Sequence, residues 1–346
     1  MKDVGIVGLP LAGKTTLFNA LTRAGVPIGG AAGKANVAAV PVPDGRVDVL
    51  AELERSRKRV FVQVRFVDVV APAGGKGGGL SGQALGALRE ADALAMVLAA
   101  FGGEDPVAAA AELTLELTVA DLESISSGAD KAAKKARAGV KDAQLEAATL
   151  SRACELLDAG TPLRAVAWER EEDKVLRNFS PLTRKPVLAV VNLGEDQVGE
   201  AAERAAAVER ALDVPVVAVP AALEAEAAEL EPAEAAEFLA SYGVEHGGLD
   251  QVVGAAWRLL DLLTFFTTGE DETRAWELRR GATAPEAAGR IHSDLERGFI
   301  RAEVIAYDDV VDAGGWDAAR SKGLLHAEGR SYVVREADCL NIRFNV

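Results

Sequence analysis

The chain is poor in residues that mark several functional classes. Its two cysteines, Cys154 and Cys339, stand far apart in 346 residues, with no CxxC and no Cys/His cluster. That excludes a disulfide framework and a thiolate zinc site, and predicts two idle thiols in a reducing compartment. Aromatic residues make up only 5%, so Ala, Val and Leu must build the core. Positive charge is short, with 38 Lys+Arg against 53 Asp+Glu and a net charge of −15. A summed charge of that sign repels phosphate and excludes broad coating of a nucleic acid. Long apolar runs are missing too. Ala91–Ala100 is too short to span a bilayer, and Met1–Val7 reads as a strand, without an apolar signal core. A soluble, cytoplasmic protein with no membrane partner is expected.

What is present is ordinary globular material: 49% hydrophobic and 26% charged residues. The length leaves room for two or three domains. Apolar runs of strand length occur at Val4–Gly8, Val60–Val70, Ala91–Ala99, Lys185–Asn192 and Val214–Pro220. Helical stretches alternate with them, starting with Leu17–Ala24, which indicates a parallel sheet with helices on both faces. Pro106 to about Ala159 is rich in Ala, Leu, Glu and Lys and breaks near Gly139. It reads as an antiparallel helical hairpin inserted between strands, with Leu113, Leu117, Leu122 and Ile125 facing Leu145, Leu150, Leu156 and Leu157. After Phe265, strands are expected at Trp276–Arg279, Ile300–Ala306, Tyr332–Val334 and Cys339–Phe344. Helices near Pro285–Ile291 and Gly315–Lys322 complete a small α+β domain.

The motif that carries chemistry is Gly8-Leu9-Pro10-Leu11-Ala12-Gly13-Lys14-Thr15, which fits GxxxxGK[ST] between an expected strand and an expected helix. Glycines let the backbone amides curl around phosphate oxygens. Lys14 reaches the β- and γ-phosphates, the Thr15 hydroxyl ligates Mg²⁺, and the helix from Thr16 points its positive end at the phosphates. Pro10, Leu11, Ala12, Gly13, Lys14, Thr15 and Thr16 are therefore the candidate phosphate-binding residues. Asp68 closes a strand, where P-loop proteins hold Mg²⁺, usually through water; an aspartate at a strand end can equally be a turn residue. Asn192-Leu193-Gly194-Glu195 follows another strand, where GTPases place Asn-Lys-x-Asp. Glutamate in place of the aspartate argues against strict guanine selection. Asn192, Leu193 and Glu195 are the candidate base-side residues.

Two stretches stand out by charge. The expected hairpin turn carries Lys131, Lys134, Lys135, Arg137 and Lys141. This basic tip is either a solvated helix face or a focused contact with RNA or the ribosome. Asp196–Glu237 is the acidic counterpart, with Arg204 and Arg210 as its only cations, and is read as solvated helix surface.

These segments together carry a resemblance. GIVGLP (Gly5–Pro10), GKTTLFNALT (Gly13–Thr22), VPVPDGRVDVLAEL (Val40–Leu53), the stretch from LLTFFTTGEDETRAWELRRGAT (from Leu262) to Asp309, and the final NIRFNV resemble the Obg-like ATPase (YchF-type) family. The likeness covers nearly the whole chain. It implies a P-loop NTPase fold with a helical-hairpin insertion and a C-terminal TGS-like β-grasp domain. The implied division is 1–105 with 183–267 for the nucleotide domain, 106–182 for the insertion and 268–346 for the β-grasp. It also implies ATP binding in preference to GTP, slow hydrolysis with Mg²⁺, and association with ribosomes. Ala221 and Ala222 fall where the family's base-backing loop lies.

Departures from the family pattern concern catalysis. The stretch Val26–Ala39 contains no Ser or Thr, so the usual switch hydroxyl is missing. The family's D-x-A-G reads Asp68-Val69-Val70-Ala71 and is followed by Pro72, which has no amide. Gly74–Leu80 keeps the likeness of a glycine-rich mobile loop. The loop that supplies a histidine in the family matches Phe101–Ala111, where Ala108 is the nearest counterpart; His292 reads as structural. No catalytic residue is assigned, and slow hydrolysis is expected. A nucleotide-sensing protein that has lost turnover is the alternative.

Overall fold

The computed structural model describes residues 1–27, 35–69, 80–244 and 247–345. Within them the chain forms two compact units: residues 2–39 with 65–256, and Met1 with 40–64 and 257–346.

The first unit holds a six-stranded sheet in the order β2-β4-β1-β5-β6-β7. Its strands are β1 (Lys2–Val7), β2 (Ala35–Pro41), β4 (Gln63–Val69), β5 (Ala93–Ala99), β6 (Val187–Asn192) and β7 (Val216–Val219). β1, β5, β6 and β7 pair in parallel, with Val7 on Met96, Ala99 on Asn192 and Asn192 on Val219. Every residue of β5 and β6 is buried, as expected of strands covered on both faces. The register brings the ends of β1 and β6 to one edge. In such sheets ligands bind beyond the carboxyl ends of the strands.

Around this sheet lie α1 (Lys14–Thr22), α3 (Gly82–Glu90), α7 (Ala201–Leu212), α8 (Ala221–Ala227), α9 (Pro232–Ser241) and α10 (Gly248–Leu259), after α2 (Gly45–Leu53) of the second unit. Between β5 and β6 run α4 (Pro106–Arg137), α5 (Ala143–Asp158) and α6 (Arg170–Arg177). Gly139, at φ 75°, sits in the turn between α4 and α5. The hairpin seam differs from the expected one. Leu113 and Leu117 pack into the sheet core with Leu98, Leu182 and Val191. Ile125, Leu150 and Leu157 make the separate core of the insertion, while Leu145 is exposed. The periodicity is continuous along α4, but its first turns are covered by the sheet and its later ones by α5. Asp121 marks the changeover. Buried, it accepts hydrogen bonds from the Leu182 amide (2.9 Å), the Thr183 amide (2.7 Å) and the Thr183 hydroxyl (2.7 Å).

α9 of the acidic stretch is largely exposed, as expected, while α7 is half-buried along much of its length and sends Val208 into the sheet core. Glu224 is a further exception: it is buried, and its carboxylate accepts the Gly248 amide at the start of α10.

The second unit has a sheet in the order β11-β10-β12-β8-β9-β3. It contains β3 (Arg59–Val60), β8 (Leu262–Thr267), β9 (Thr273–Arg279), β10 (Phe299–Ala306), β11 (His326–Glu328) and β12 (Asp338–Phe344). β12 and β8 pair in parallel at its centre, flanked by antiparallel partners. The helices here are α11 (Ala284–Ile291), α12 (Ser293–Arg297), α13 (Tyr307–Ala313) and α14 (Trp316–Ser321). Buried Ala284, Ala287 and Ala288 of α11 share a core with Leu263, Phe265, Leu278 and Leu340. This mixed sheet with its covering helix is the β-grasp arrangement.

Three expectations shift. The run Val60–Val70 is two strands: Arg59 registers on Thr273 in the second unit, while β4 belongs to the first. β8 joins the C-terminal sheet, so that unit starts at residue 257 rather than 268, and it takes residues 40–64 as well. Tyr332–Val334 is not a strand; Val333 makes an isolated bridge to Thr283.

Candidate functional site

The edge beyond β1, β4 and β6 gathers most of the residues singled out by motif. α1 runs from Lys14 to Thr22, starting before and ending before the expected Leu17–Ala24, with Gly13 as its cap. Gly13 has φ 88° and ψ 21°. A Cβ there would come 2.1 Å from Asn192 Nδ2, and one at Gly8 would come 2.5 Å from the Val97 carbonyl oxygen. Both glycines are therefore required by close approach, and Gly13 by its left-handed backbone as well. Leu11 also has positive φ, at 64°, and is 92% exposed. Pro10 is exposed, Ala12 buried, and Thr16 half-buried at the start of α1.

Lys14 folds back over its own loop. Its Nζ donates to the carbonyls of Gly8 (2.9 Å) and Leu9 (2.7 Å). Burial pushes its pKa down, opposed by the charges of Asp68 and Glu116. An ammonium held on two carbonyls and short of counter-charge is ready to exchange them for phosphate oxygens.

Thr15 and Asp68 meet directly. The Thr15 hydroxyl donates to Asp68 Oδ2 at 3.0 Å. Asp68 is fully buried, and among the described residues its Oδ1 has no hydrogen-bond partner. A buried carboxylate oxygen without a donor is costly, and a hard cation bound through oxygen would satisfy it. The residues present thus fit a Mg²⁺ ion.

Asn192, at the end of β6, is a strut. Its Nδ2 donates to the Ala12 carbonyl (3.0 Å), and its Oδ1 accepts the Ala221 amide (3.2 Å). One buried carboxamide therefore ties the phosphate loop to the start of α8. Leu193 is buried and donates its amide to the Val219 carbonyl. Glu195 and Ala222 are exposed. These contacts bring Ala12, Gly13, Lys14, Thr15, Asp68, Asn192 and Ala221 together, while Pro10, Leu11 and Thr16 belong to the same loop and helix start.

Three further neighbours are not marked by any motif in the sequence. Asn36, in β2, places Nδ2 3.4 Å from Asp68 Oδ2. Phe101 lies against both Gly13 and Gly194. Glu116, on α4, is raised in pKa by burial and by Glu112, and lowered by Lys14. Only Phe101 had a local signal, an aromatic directly after a strand end. Ala108 lies exposed in the first turn of α4, which follows a tight turn at Phe101–Asp105. Part of the switch stretch (28–34), and Ala71, Pro72 and Gly74–Gly79, lie outside the described residues, as does His246.

The basic tip is built as read. Lys131, Lys134, Lys135 and Arg137 end α4, Lys141 follows in the turn, and all five are exposed. None forms an ion pair among the described residues, whereas Arg46, Arg65, Arg152 and Arg177 each do. No helix among the described residues is long and apolar enough to cross a membrane.

Residues 3–193 match the family described as 50S ribosome-binding GTPase. Residues 262–345 match the YchF GTPase C-terminal family, described as a protein of unknown function (DUF933). The ribosome-binding ATPase YchF of Haemophilus ducreyi is 40% identical, covering 99% of both chains. That match runs over 365 aligned positions against the 346 residues here, so the relative carries residues that this chain lacks. Its counterpart in Bacillus subtilis is 39% identical, again over 99% of each chain. The solved structure of the Schizosaccharomyces pombe YchF GTPase superposes with a TM-score of 0.85 at 26% identity, covering 99% of this chain and 97% of that one.

Proposed function

Because the chain belongs to the YchF family of P-loop NTPases, we propose that it binds ATP with Mg²⁺, hydrolyses it slowly and works on the ribosome in the cytoplasm. The carrying observation is the cluster of Lys14, Thr15 and Asp68 at the edge of the sheet, with the Asp68 Oδ1 buried and without a partner among the described residues. Lys14 holds the β- and γ-phosphates, as do the loop amides of Leu11–Thr16. Thr15 and Asp68 hold Mg²⁺, which when bound neutralises charge on the phosphates. Asn192, Leu193, Glu195, Ala221 and Ala222 form the base side. Glu195 lacks the aspartate geometry for guanine, which favours ATP over GTP.

Slow turnover is expected because Ala108 stands nearest to the place of the family's histidine. Ala108 has no titratable group, and water-positioning groups contribute about 10²–10⁴ in rate. The same observation favours a second reading, a nucleotide-sensing protein whose output is the partner it selects. Equilibrium competition of ATP against GTP, followed by product formation under single turnover, tests both. Preferential ATP binding with slow product formation is expected. Product at background would leave the sensor reading standing, and GTP preference would overturn the adenine assignment.

The five exposed cations of the hairpin tip, none in an ion pair among the described residues, support a contact with ribosomal RNA. A small focused patch gains from counterion release even in an acidic protein.

A further inference from the structure

The sequence has no Ser or Thr between Val26 and Ala39, so the metal side of the site lacks the hydroxyl that a switch segment ordinarily offers. We propose that the carboxamide of Asn36 takes that place, holding the Mg²⁺ side of the site together with Thr15 and Asp68. The inference rests on the Mg²⁺-nucleotide reading above and adds a residue to it.

Three observations converge. Asn36 and Thr15 approach the same oxygen, Asp68 Oδ2, at 3.4 and 3.0 Å. Asp68 Oδ1 is buried with no partner among the described residues, so this carboxylate has capacity for one more positive or donating group. Asn36 is half-buried near the start of β2, where the chain enters the sheet beside β4. An amide that donates through Nδ2 to Asp68 keeps its Oδ1 as an acceptor. Neutral amide oxygens suit hard cations and their bound waters. A hydroxyl and an amide oxygen differ in acidity, but both are neutral oxygen donors, so the substitution preserves the charge of the site. The amide also orients Asp68, and groups that orient a metal-binding carboxylate matter nearly as much as the ligand itself.

The test is a Mg²⁺ titration of the protein with a fluorescent ATP analogue, reading the Mg²⁺ concentration at half-maximal binding and, separately, the analogue's affinity in EDTA. Asn36→Ala should raise the Mg²⁺ midpoint about tenfold and leave the affinity in EDTA unchanged. Asn36→Thr, which restores a neutral oxygen, should recover part of that loss. Mn²⁺ binding followed by its electron paramagnetic resonance gives the same order without nucleotide turnover. An Asn36→Ala midpoint equal to wild type, while Thr15→Ala shifts it, overturns the role of Asn36 alone. Wild-type affinity that is the same in Mg²⁺ and in EDTA overturns the metal reading beneath it. Circular dichroism of each variant separates loss of the site from loss of fold.

Discussion

Replacing Asn192 by alanine removes one side chain and orphans two buried groups. The Ala12 carbonyl loses its donor and the Ala221 amide its acceptor, and both residues are almost wholly buried. Each orphaned group costs about 1–3 kcal/mol. For the Ala221 side alone, that is about a 5- to 150-fold rise in amide exchange, at 1.4 kcal/mol per factor of ten. Hydrogen exchange read on the peptide covering β7 and α8 measures it locally, without assuming that the two units unfold together. Asn192→Asp is the informative partner. It keeps an oxygen for the Ala221 amide but turns a carboxylate oxygen, not a donor, toward the Ala12 carbonyl. Ala221 should then stay protected, while the phosphate loop is loosened and ATP binding weakens at least tenfold in both variants. If Ala221 exchanges at the wild-type rate in Asn192→Ala, or equally fast in both variants, the strut is not what joins the loop to α8.

Further outcomes are expected. Asp121→Ala removes three hydrogen bonds to residues 182–183. It should destabilise the unit by about 3–5 kcal/mol, seen in urea unfolding and as faster exchange at Leu182 and Thr183, with Asn milder than Ala. Asp68→Asn still offers an oxygen to Thr15, so the protein should fold. Its ATP affinity should become insensitive to EDTA, whereas wild type should lose about 10- to 100-fold on chelation. Reversing charge at Lys134, Lys135 and Arg137 together should weaken cosedimentation with ribosomes. It should also flatten the salt dependence by about 0.7–0.9 log units per lost phosphate contact; an unchanged slope would remove the tip from the interface.

Much of the phosphate site was legible because its constraints are local. Gly8 and Gly13 are demanded by backbone approach and conformation, and Lys14 and Thr15 follow in fixed spacing. Asp68 and Asn192 were legible as strand ends. What the sequence hid was choice of partner. The alternation through Val60–Val70 is that of a strand, yet residues 59–60 pair with β9 and 63–69 with another sheet. Period two says which face is apolar, never which neighbour covers it. The same holds for α4, where Leu113 and Leu117 share a stripe with Ile125 but pack elsewhere. β8 has the apolar texture of the nucleotide domain's own strands, which set the expected boundary one strand too late. Asn36 carries no signal of its own in the sequence, because a carboxamide does not read as a missing hydroxyl. Only the distance to Asp68 shows that an amide stands nearby.

The measurement that bears most directly on function is calorimetric titration of ATP with Mg²⁺ into wild type and Lys14→Ala. Wild type should bind one ATP saturably, and removal of the ammonium should weaken it by about 10- to 150-fold, the worth of a charged hydrogen-bonding group. No binding by wild type, or equal affinity in the two proteins, would contradict a nucleotide held by this loop.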